Sequence, residues 1–164
     1  MKKHAIYPGS FDPLTHGHIN VVERALSIFE TVTIAVAVNT GKSTVFSLAE
    51  REAMIQKVFE SNDRVSVEAF EGLLVDYIAT KKNSIVIRGI RTASDFEYEL
   101  GIAQANRHLS KNFESIFMMT DPQYSFLTST MIREIVSLGG STKGMLPDFI
   151  EEALRQKLKS RKAQ

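Results

Sequence analysis

The sequence has 164 residues, of which 43% are hydrophobic and 24% charged, and its formal net charge is +1. That length and balance fit one globular domain over residues 1–164, and the near-neutral charge argues against broad nucleic-acid binding. The absence of cysteine excludes disulfides, thiolate catalysis and cysteine-ligated metal centres. No apolar run is long enough for a signal core or a membrane span, so we expect a cytoplasmic protein that binds neither nucleic acid nor membrane.

The first predicted strand, Ala5–Tyr7, is apolar and is expected to stop at Pro8 and Gly9. A loop rich in glycine and histidine then leads into a helix with Thr15 as its N-cap. The helix carries four apolar residues on one face: Ile19, Val22, Leu26 and Phe29. His18 falls in the first turn, where unpaired backbone N–H groups and the helix dipole favour a polyphosphate. No G-x-G-x-x-G motif follows the strand, which argues against a dinucleotide-dependent oxidoreductase.

Four more strands and five helices are predicted in alternation. The strands are Thr31–Val38, Val65–Ala69, Ser84–Ile87 and Ser115–Met119. The helices run from Ser47 to Phe59, Leu73 to Lys81, Ser94 to Leu109, Ser129 to Gly139, and from Pro147 onward. Two of them begin with capping boxes, Ser47 with Glu50 and Ser94 with Glu97. This order indicates an α/β fold with a doubly wound, five-stranded, mostly parallel and Rossmann-like sheet.

The only basic cluster lies at the end of the last predicted helix. It consists of Lys157, Lys159, Arg161 and Lys162. Cations complement the dipole at a helix C-terminus, so we interpret the cluster as a solvated tail rather than an RNA site.

Polar groups suited to phosphate follow four of the five predicted strands, at the edge where open α/β sheets bind ligands. They are Ser10 and His18, then Lys42, then Arg88 and Arg91, and finally the hydroxyls of Thr128, Ser129 and Thr130. Each also has an ordinary structural interpretation. Lys42 could be solvated, the arginines could pair with Asp95, Glu97 or Glu99, and one hydroxyl could cap a helix. Their convergence at one edge favours a phosphate site.

Several motifs together resemble the bacterial phosphopantetheine adenylyltransferases, and the resemblance spans nearly the whole chain. The motifs are Gly9-Ser10-Phe11-Asp12-Pro13 with Thr15-His16-Gly17-His18, Arg88-Gly89-Ile90-Arg91, Asp95-Phe96-Glu97-Tyr98-Glu99, Asn106-Arg107 and Tyr124-Ser125-Phe126-Leu127-Thr128-Ser129-Thr130. In the wider nucleotidyltransferase superfamily the short motif usually begins with histidine. Thr15 at that position is typical of the phosphopantetheine branch.

The resemblance implies that the chain transfers AMP from ATP to 4′-phosphopantetheine, with Mg²⁺ as cofactor, in a late step of coenzyme A biosynthesis. The products would be dephospho-coenzyme A and pyrophosphate, coenzyme A itself is a further possible ligand, and the implied assembly is a homohexamer. No metal ligand can be named, because Mg²⁺ commonly binds through phosphates and water. Two alternatives stay open: a sister enzyme that uses another phosphorylated acceptor or CTP, and a non-catalytic nucleotide-binding module.

The resemblance also implies roles for individual residues, with Ser10, His18, Lys42 and Arg91 as the catalytic set. His18 would stabilise charge at the α-phosphate, while Arg91, Ser129 and Thr130 would hold the outer phosphates. The acceptor would contact Ser10, Lys42, Leu73, Leu74, Arg88 and Asn106. The nucleotide would be bordered by Ser10, Phe11, His18, Gly89, Ile90, Arg91, Glu99, Tyr124, Ser125, Phe126, Leu127, Thr128, Ser129 and Thr130.

Overall fold

The computed structural model describes residues 4–38 and 44–162. These residues form one five-stranded sheet, with strands β1 (His4–Gly9), β2 (Thr31–Ala37), β3 (Val65–Phe70), β4 (Ser84–Ile90) and β5 (Ser115–Met119). The strand order is β3-β2-β1-β4-β5, and all four pairings are parallel. The predicted α/β class and doubly wound sheet are therefore confirmed.

Within the described residues, six α-helices connect and follow the strands. They are α1 (His16–Ala25), α2 (Leu48–Val58), α3 (Leu74–Ala79), α4 (Ala93–Leu109), α5 (Ser129–Ser137) and α6 (Asp148–Lys162). The predicted caps of α1 and α2 are confirmed, because Thr15 and Ser47 each accept a hydrogen bond from the backbone N–H three residues on. Within residues 4–38 and 44–162, no helix combines the length and apolar character needed to cross a bilayer.

Two strands extend further than the sequence predicts. β1 continues through Pro8 and Gly9, which pair with Ala35 and Val36 of β2. On the other side of β1, pairing with β4 ends at Ile6. Pro8, which has no backbone N–H to donate, therefore lies where β1 pairs with only one neighbouring strand. β4 likewise continues to Ile90, because its last residues pair with β5. The predictions that these strands stop at Tyr7 and Ile87 were wrong.

The start of α4 and the role of the basic cluster also differ from expectation. α4 begins at Ala93 with Thr92 as its N-cap, not Ser94, because β4 runs to Ile90 and leaves Thr92 at the turn. In α6, Lys157 pairs with Glu50 at 2.6 Å and Arg161 donates to the carbonyl of Thr44 at 2.7 Å. These two cations contact the first turn of α2 and Thr44 shortly before it, so the interpretation of a solvated tail was wrong for them.

Apolar burial is uneven across the molecule. The main core packs β1 and β2 with α1, α2, α5 and α6 around large buried side chains such as Phe46, Ile34, Ile55, Ile132 and Leu154. A second cluster near α3 and β4 contains only three buried residues: Val75, Val86 and Phe113. α4 has 17 residues, and none of them is buried. The apolar core is therefore large around β1 and β2 and small beneath α4.

β1 and β4 separate toward their carboxyl ends. Their recorded pairs stop at Ile6 with Val86, although both strands continue for several residues. The chain runs from β1 outward to β3 and then returns to β4, so this gap is the point where the strand order reverses. Ligands of open α/β sheets bind at such a position.

Candidate active site

A cavity of about 250 Å³ lies in the gap between β1 and β4. It brings together nine of the residues predicted for the site: Phe11, His18, Arg88, Gly89, Arg91, Glu99, Leu127, Thr128 and Ser129. The carboxyl ends of parallel strands meet at one edge of a sheet, which is why residues so far apart along the chain converge here.

His18 forms a reciprocal capping box with Thr15 at the start of α1. The backbone N–H of His18 donates to Thr15 Oγ1 at 3.3 Å, and the backbone N–H of Thr15 donates to His18 Nδ1 at 3.1 Å. Because Nδ1 accepts a hydrogen bond, a neutral His18 ring carries its hydrogen on Nε2. Burial, with a smaller contribution from the charge of Arg91, lowers the pKa of His18 to about 4. The ring is therefore a neutral donor at neutral pH.

Phe11 packs against the His18 ring. Its backbone is in the left-handed region, with φ at 48°, and its side chain is only 3% exposed. The Phe11 ring meets the His18 ring edge-on at a centroid distance of 5.2 Å. A Cβ at Gly9 would lie 2.8 Å from the same Phe11 ring, so glycine is required there. Phe11 thus buries its side chain against His18 and is one of the residues that line the cavity.

Arg88 projects from β4 and is held by two partners. Its Nε and Nη2 both donate to the carboxylate of Glu99 at 2.6 Å. Its Nη1 donates to the carbonyl of Pro8 at 2.9 Å, across the gap between β4 and β1. This bidentate pair is partly buried, which fixes the guanidinium plane inside the cavity.

Arg91, three residues further along the chain, is held in the same manner. Its Nε and Nη2 donate to the carboxylate of Asp95 at 2.8 and 3.0 Å, and its Nη1 donates to the carbonyl of Leu127 at 2.7 Å. The ion pairs considered as the ordinary interpretation of the two arginines are thus present. Both guanidinium groups nevertheless line the cavity.

Gly89 lets α1 approach the sheet. A Cβ at this position would lie 2.9 Å from Cγ2 of Val21 and 3.3 Å from the hydroxyl of Tyr7. Burial raises the pKa of Tyr7, so its phenol stays protonated at the base of the cavity. The absence of a side chain at residue 89 therefore lets α1, which carries His18, pack close to the strand that carries Arg88.

The three hydroxyls at the start of α5 all have protein partners. Thr128 caps the helix by accepting from the N–H of Met131 at 2.9 Å, and Ser129 Oγ donates to the carbonyl of Pro13 at 2.8 Å. Thr130 Oγ1 accepts from Arg133 at 3.2 Å. Thr128 and Ser129 face the cavity, while Thr130 is exposed and does not line it.

The remaining predicted residues lie around this cavity or away from it. Leu74 and Asn106 line a small adjoining cavity that also contacts Arg88 and Glu99, whereas Leu73 is 58% exposed. The last group lies outside the main cavity: Ser10, Ile90, Tyr124, Ser125 and Phe126. Lys42 lies outside the described residues.

Asp12 is a buried residue of the site region that the sequence prediction did not single out. Its carboxylate accepts from the backbone N–H groups of Val45 and Phe46, both at 2.9 Å, and it also pairs with Arg133. It thereby joins the loop after β1, the loop after β2 and α5. An aspartate between Phe11 and Pro13 in the phosphate loop was the available signal, but nothing local indicates that its partners are remote.

Comparisons with known proteins agree with this architecture. Residues 6–135 match the family model described as cytidylyltransferase-like. The chain is 48% identical to the phosphopantetheine adenylyltransferase of Geobacter sulfurreducens, with 94% of each chain covered. It is 46% identical to the enzyme of that name from Clostridium novyi, with 94% of this chain and 96% of the relative covered.

A solved structure has the same fold at low sequence identity. It is the bifunctional NMN adenylyltransferase/ADP ribose pyrophosphatase of Francisella tularensis, complexed with AMP and a manganese ion. The TM-score is 0.70 at 16% identity, and the match covers 99% of this chain and 53% of that one. At this identity the likeness concerns the fold alone.

Proposed function

The chain belongs to the cytidylyltransferase-like family and, within it, to the phosphopantetheine adenylyltransferases, and we propose that it performs the reaction of that name. An oxygen of the phosphate of 4′-phosphopantetheine attacks the α-phosphorus of ATP, and the bond between that phosphorus and the α–β bridging oxygen breaks. The products are dephospho-coenzyme A and pyrophosphate. The supporting observation is a neutral histidine donor facing two fixed arginines in one cleft at the strand-order reversal.

His18 is the proposed donor to the α-phosphate. With Nδ1 accepting from Thr15 and its pKa lowered to about 4, the ring offers Nε2–H without a positive charge. A hydrogen bond that strengthens as charge develops on the α-phosphate oxygens lowers the barrier without tightening the ground state equally. His18 therefore acts as a hydrogen-bond donor and exchanges no proton with the substrates.

The positive charge for this reaction comes from the arginines. Arg91 is the proposed ligand of the β- and γ-phosphates, with Ser129 and Thr130 beside it at the N-terminus of α5. Arg88 is the proposed ligand of the acceptor phosphate, together with Ser10 and Lys42. The second pKa of a phosphate monoester is about 6, so the acceptor is already largely a dianion at neutral pH and needs no general base. Catalysis is then mainly positioning and charge stabilisation.

We propose that Mg²⁺ enters bound to the ATP phosphates. Among residues 4–38 and 44–162, no three histidine or carboxylate side chains are grouped to hold a metal ion. The two carboxylates nearest the arginines, Asp95 and Glu99, are engaged by Arg91 and Arg88. Mg²⁺ usually keeps several waters and binds substrate phosphates, which fits this residue set. When bound, it neutralises charge on the leaving pyrophosphate.

The adjoining small cavity is the proposed entry for the pantetheine arm. Leu74 supplies an apolar wall, Asn106 an amide, and Arg88 joins this cavity to the main one. An acceptor phosphate on Arg88 would therefore leave its arm directed toward Leu74 and Asn106. Dephospho-coenzyme A and coenzyme A share this arm and are further proposed ligands. We also propose that the reaction takes place in the cytoplasm.

Self-association through α4 and β5 is the proposed quaternary arrangement, with the hexamer implied by the resemblance as the expected state. Five large apolar side chains are exposed on these elements: Phe96, Tyr98, Leu109, Ile116 and Met119. Exposed apolar side chains grouped on one surface mark interaction sites more often than chance. Light scattering on the purified chain tests the state, and Met119→Glu should reduce the measured mass while a monomeric wild type would contradict the proposal.

The reaction is tested by measuring pyrophosphate release from MgATP with three acceptors in parallel: 4′-phosphopantetheine, nicotinamide mononucleotide and glycerol 3-phosphate. Each is repeated with CTP, because the family model is cytidylyltransferase-like. Release only with ATP and phosphopantetheine is the expected result. Release with another acceptor or with CTP would indicate a sister enzyme, and ATP binding without any release would indicate a non-catalytic nucleotide-binding module.

A further inference from the structure

α4 carries two carboxylates beside the cleft, and each engages one arginine. Asp95 and Glu99 are four residues apart, so they lie on the same face of the helix. Glu99 takes the guanidinium of Arg88 and Asp95 takes that of Arg91, each through two hydrogen bonds. Glu99 and both arginines line the cavity, whereas Asp95 stands behind Arg91.

Asp95 restrains Arg91 at both ends of its side chain. Oδ2 accepts from Arg91 Nε at 2.8 Å and also from the backbone N–H of Arg91 at 3.2 Å. Oδ1 accepts from Nη2 at 3.0 Å. One carboxylate therefore ties the guanidinium to its own backbone, which removes much of the rotamer freedom that an arginine otherwise has.

The backbone of Asp95 is itself fixed. Its N–H donates to Thr92 Oγ1, the N-cap of α4, at 3.2 Å. The carboxylate stands in the first turn of the helix, where the dipole stabilises a negative charge. These contacts hold the Asp95 backbone in place from within α4 itself.

A count of the N–H groups of Arg91 shows what is left for a ligand. A guanidinium has five, and three are used, by Oδ2 and Oδ1 of Asp95 and by the carbonyl of Leu127. One N–H on Nη1 and one on Nη2 remain. Since the plane is already fixed, these two groups can bind phosphate oxygens with little further loss of entropy.

We propose that Asp95 is a positioning residue for nucleotide binding, acting through Arg91 to hold its two remaining N–H groups toward the polyphosphate of ATP. The inference rests on the proposed function in one respect, namely that a nucleotide polyphosphate occupies this cleft. Electrostatics alone predicts the opposite effect, because a carboxylate near phosphates repels them. Neutralising Asp95 should therefore weaken ATP binding if Asp95 positions Arg91, and tighten it if charge repulsion dominates.

The test is the dissociation constant of MgATP, measured by calorimetry without an acceptor. Asp95→Asn keeps the size and one acceptor oxygen but loses the charge and the bidentate carboxylate, and it should weaken ATP binding about tenfold. Glu97→Gln makes the same charge change at an exposed position of α4 and should leave binding unchanged within about twofold. Asp95→Glu should retain part of the affinity.

A double-mutant cycle shows whether the effect passes through Arg91. In an Arg91→Lys background the bidentate pair between the guanidinium and Asp95 cannot form, so Asp95→Asn should cause no further loss of ATP affinity. Arg91→Lys alone should lose about as much affinity for ATP as Asp95→Asn. Thermal unfolding shows whether Asp95→Asn is folded, and if it is not, Arg91→Lys serves as the test variant.

Unchanged or tighter ATP binding by Asp95→Asn, or an equal loss in both backgrounds, would overturn the inference. A wild type that binds ATP but releases no pyrophosphate would overturn the proposed reaction and leave this inference standing. A wild type that binds no ATP would remove both.

Discussion

Two regions of the molecule hold the two walls of the cleft in different ways. The packed region, formed by β1, β2, α1, α2, α5 and α6, places His18 on a helix that buries Val21, Val22 and Ala25 in the main core. The open region, formed by α3, α4, β4 and β5, contributes Ile87 and Met118 to the main core, but beneath α4 it has only the small second cluster, and it leaves apolar side chains exposed. The arginines of the open region are positioned by ion pairs instead. Packing thus fixes the histidine, whereas ion pairs fix the arginines. By our proposal, self-association of the chain also contributes to fixing the arginines.

A pair of apolar truncations measures the difference in burial between the two regions. Leu154 of α6 has no exposed surface, and Leu154→Ala should lower the free energy of unfolding by about 2–5 kcal/mol. Met119 of β5 is 63% exposed, and Met119→Ala should change it by less than about 0.5 kcal/mol. Urea denaturation at a concentration where the chain is monomeric gives both values. Equal losses would mean that the open region is as well packed as the other.

Removal of the His18 donor should affect catalysis more than binding. His18→Gln should lower kcat at least about a hundredfold, because the donor acts mainly on the developing charge at the α-phosphate. The affinity for MgATP should change by less than about threefold. Glutamine at this position can still accept from the N–H of Thr15, so the capping box is kept and thermal unfolding serves as the control. A kcat near that of the wild type would remove His18 from the reaction.

The lowered pKa of His18 predicts how stability depends on pH. The group has a pKa of about 4 in the folded protein and about 6.5 when unfolded, so between these values the unfolded chain binds more protons. Stability should therefore be complete above pH 6.5 and should fall by up to about 1.4 kcal/mol per pH unit as the pH is lowered toward 4.

Urea denaturation at pH 6.5 and pH 5 checks this slope, with His18→Gln as the comparison. Burial also lowers the pKa of His4, which adds a slope of the same sign, but His4 is present in both proteins and cancels. If the two proteins lose stability equally over this range, the histidine of the packed region is not buried as a neutral group.

Local signals in the sequence were sufficient for most of the fold. The box of Ser47 with Glu50 and the cap at Thr15 involve atoms three residues apart, and both are confirmed. β5 has the predicted bounds, Ser115–Met119. The end of β4 was missed because Arg88 and Gly89 are typical of loops, and what keeps them in a strand is pairing with remote residues of β5. Pairing of this kind depends on register, which no local pattern encodes.

The same limit applies to the site. The convergence of His18, Arg88 and Arg91 was predictable, because parallel strands deliver their carboxyl ends to one edge. The sequence offered three carboxylates as partners for the arginines, but only the structure assigns Glu99 to Arg88 and Asp95 to Arg91. The hydrogen bonds that Asp12 accepts from Val45 and Phe46 depend on how β1 and β2 align, so no spacing rule could have identified them.

The smallest expected effect distinguishes the observed cap of α4 from the one that the sequence predicts. Thr92 Oγ1 accepts from the N–H of Asp95, so Thr92→Ala should lower the free energy of unfolding by about 1 kcal/mol. Ser94 is exposed, and its recorded hydrogen bond is to the hydroxyl of Thr92, so Ser94→Ala should cost no more than about 0.5 kcal/mol. Urea denaturation of the two variants side by side gives the difference, and a larger loss for Ser94→Ala would restore the predicted box with Glu97. Because α4 has no buried residue to compensate, its cap should matter more here than a comparable cap would in the packed region.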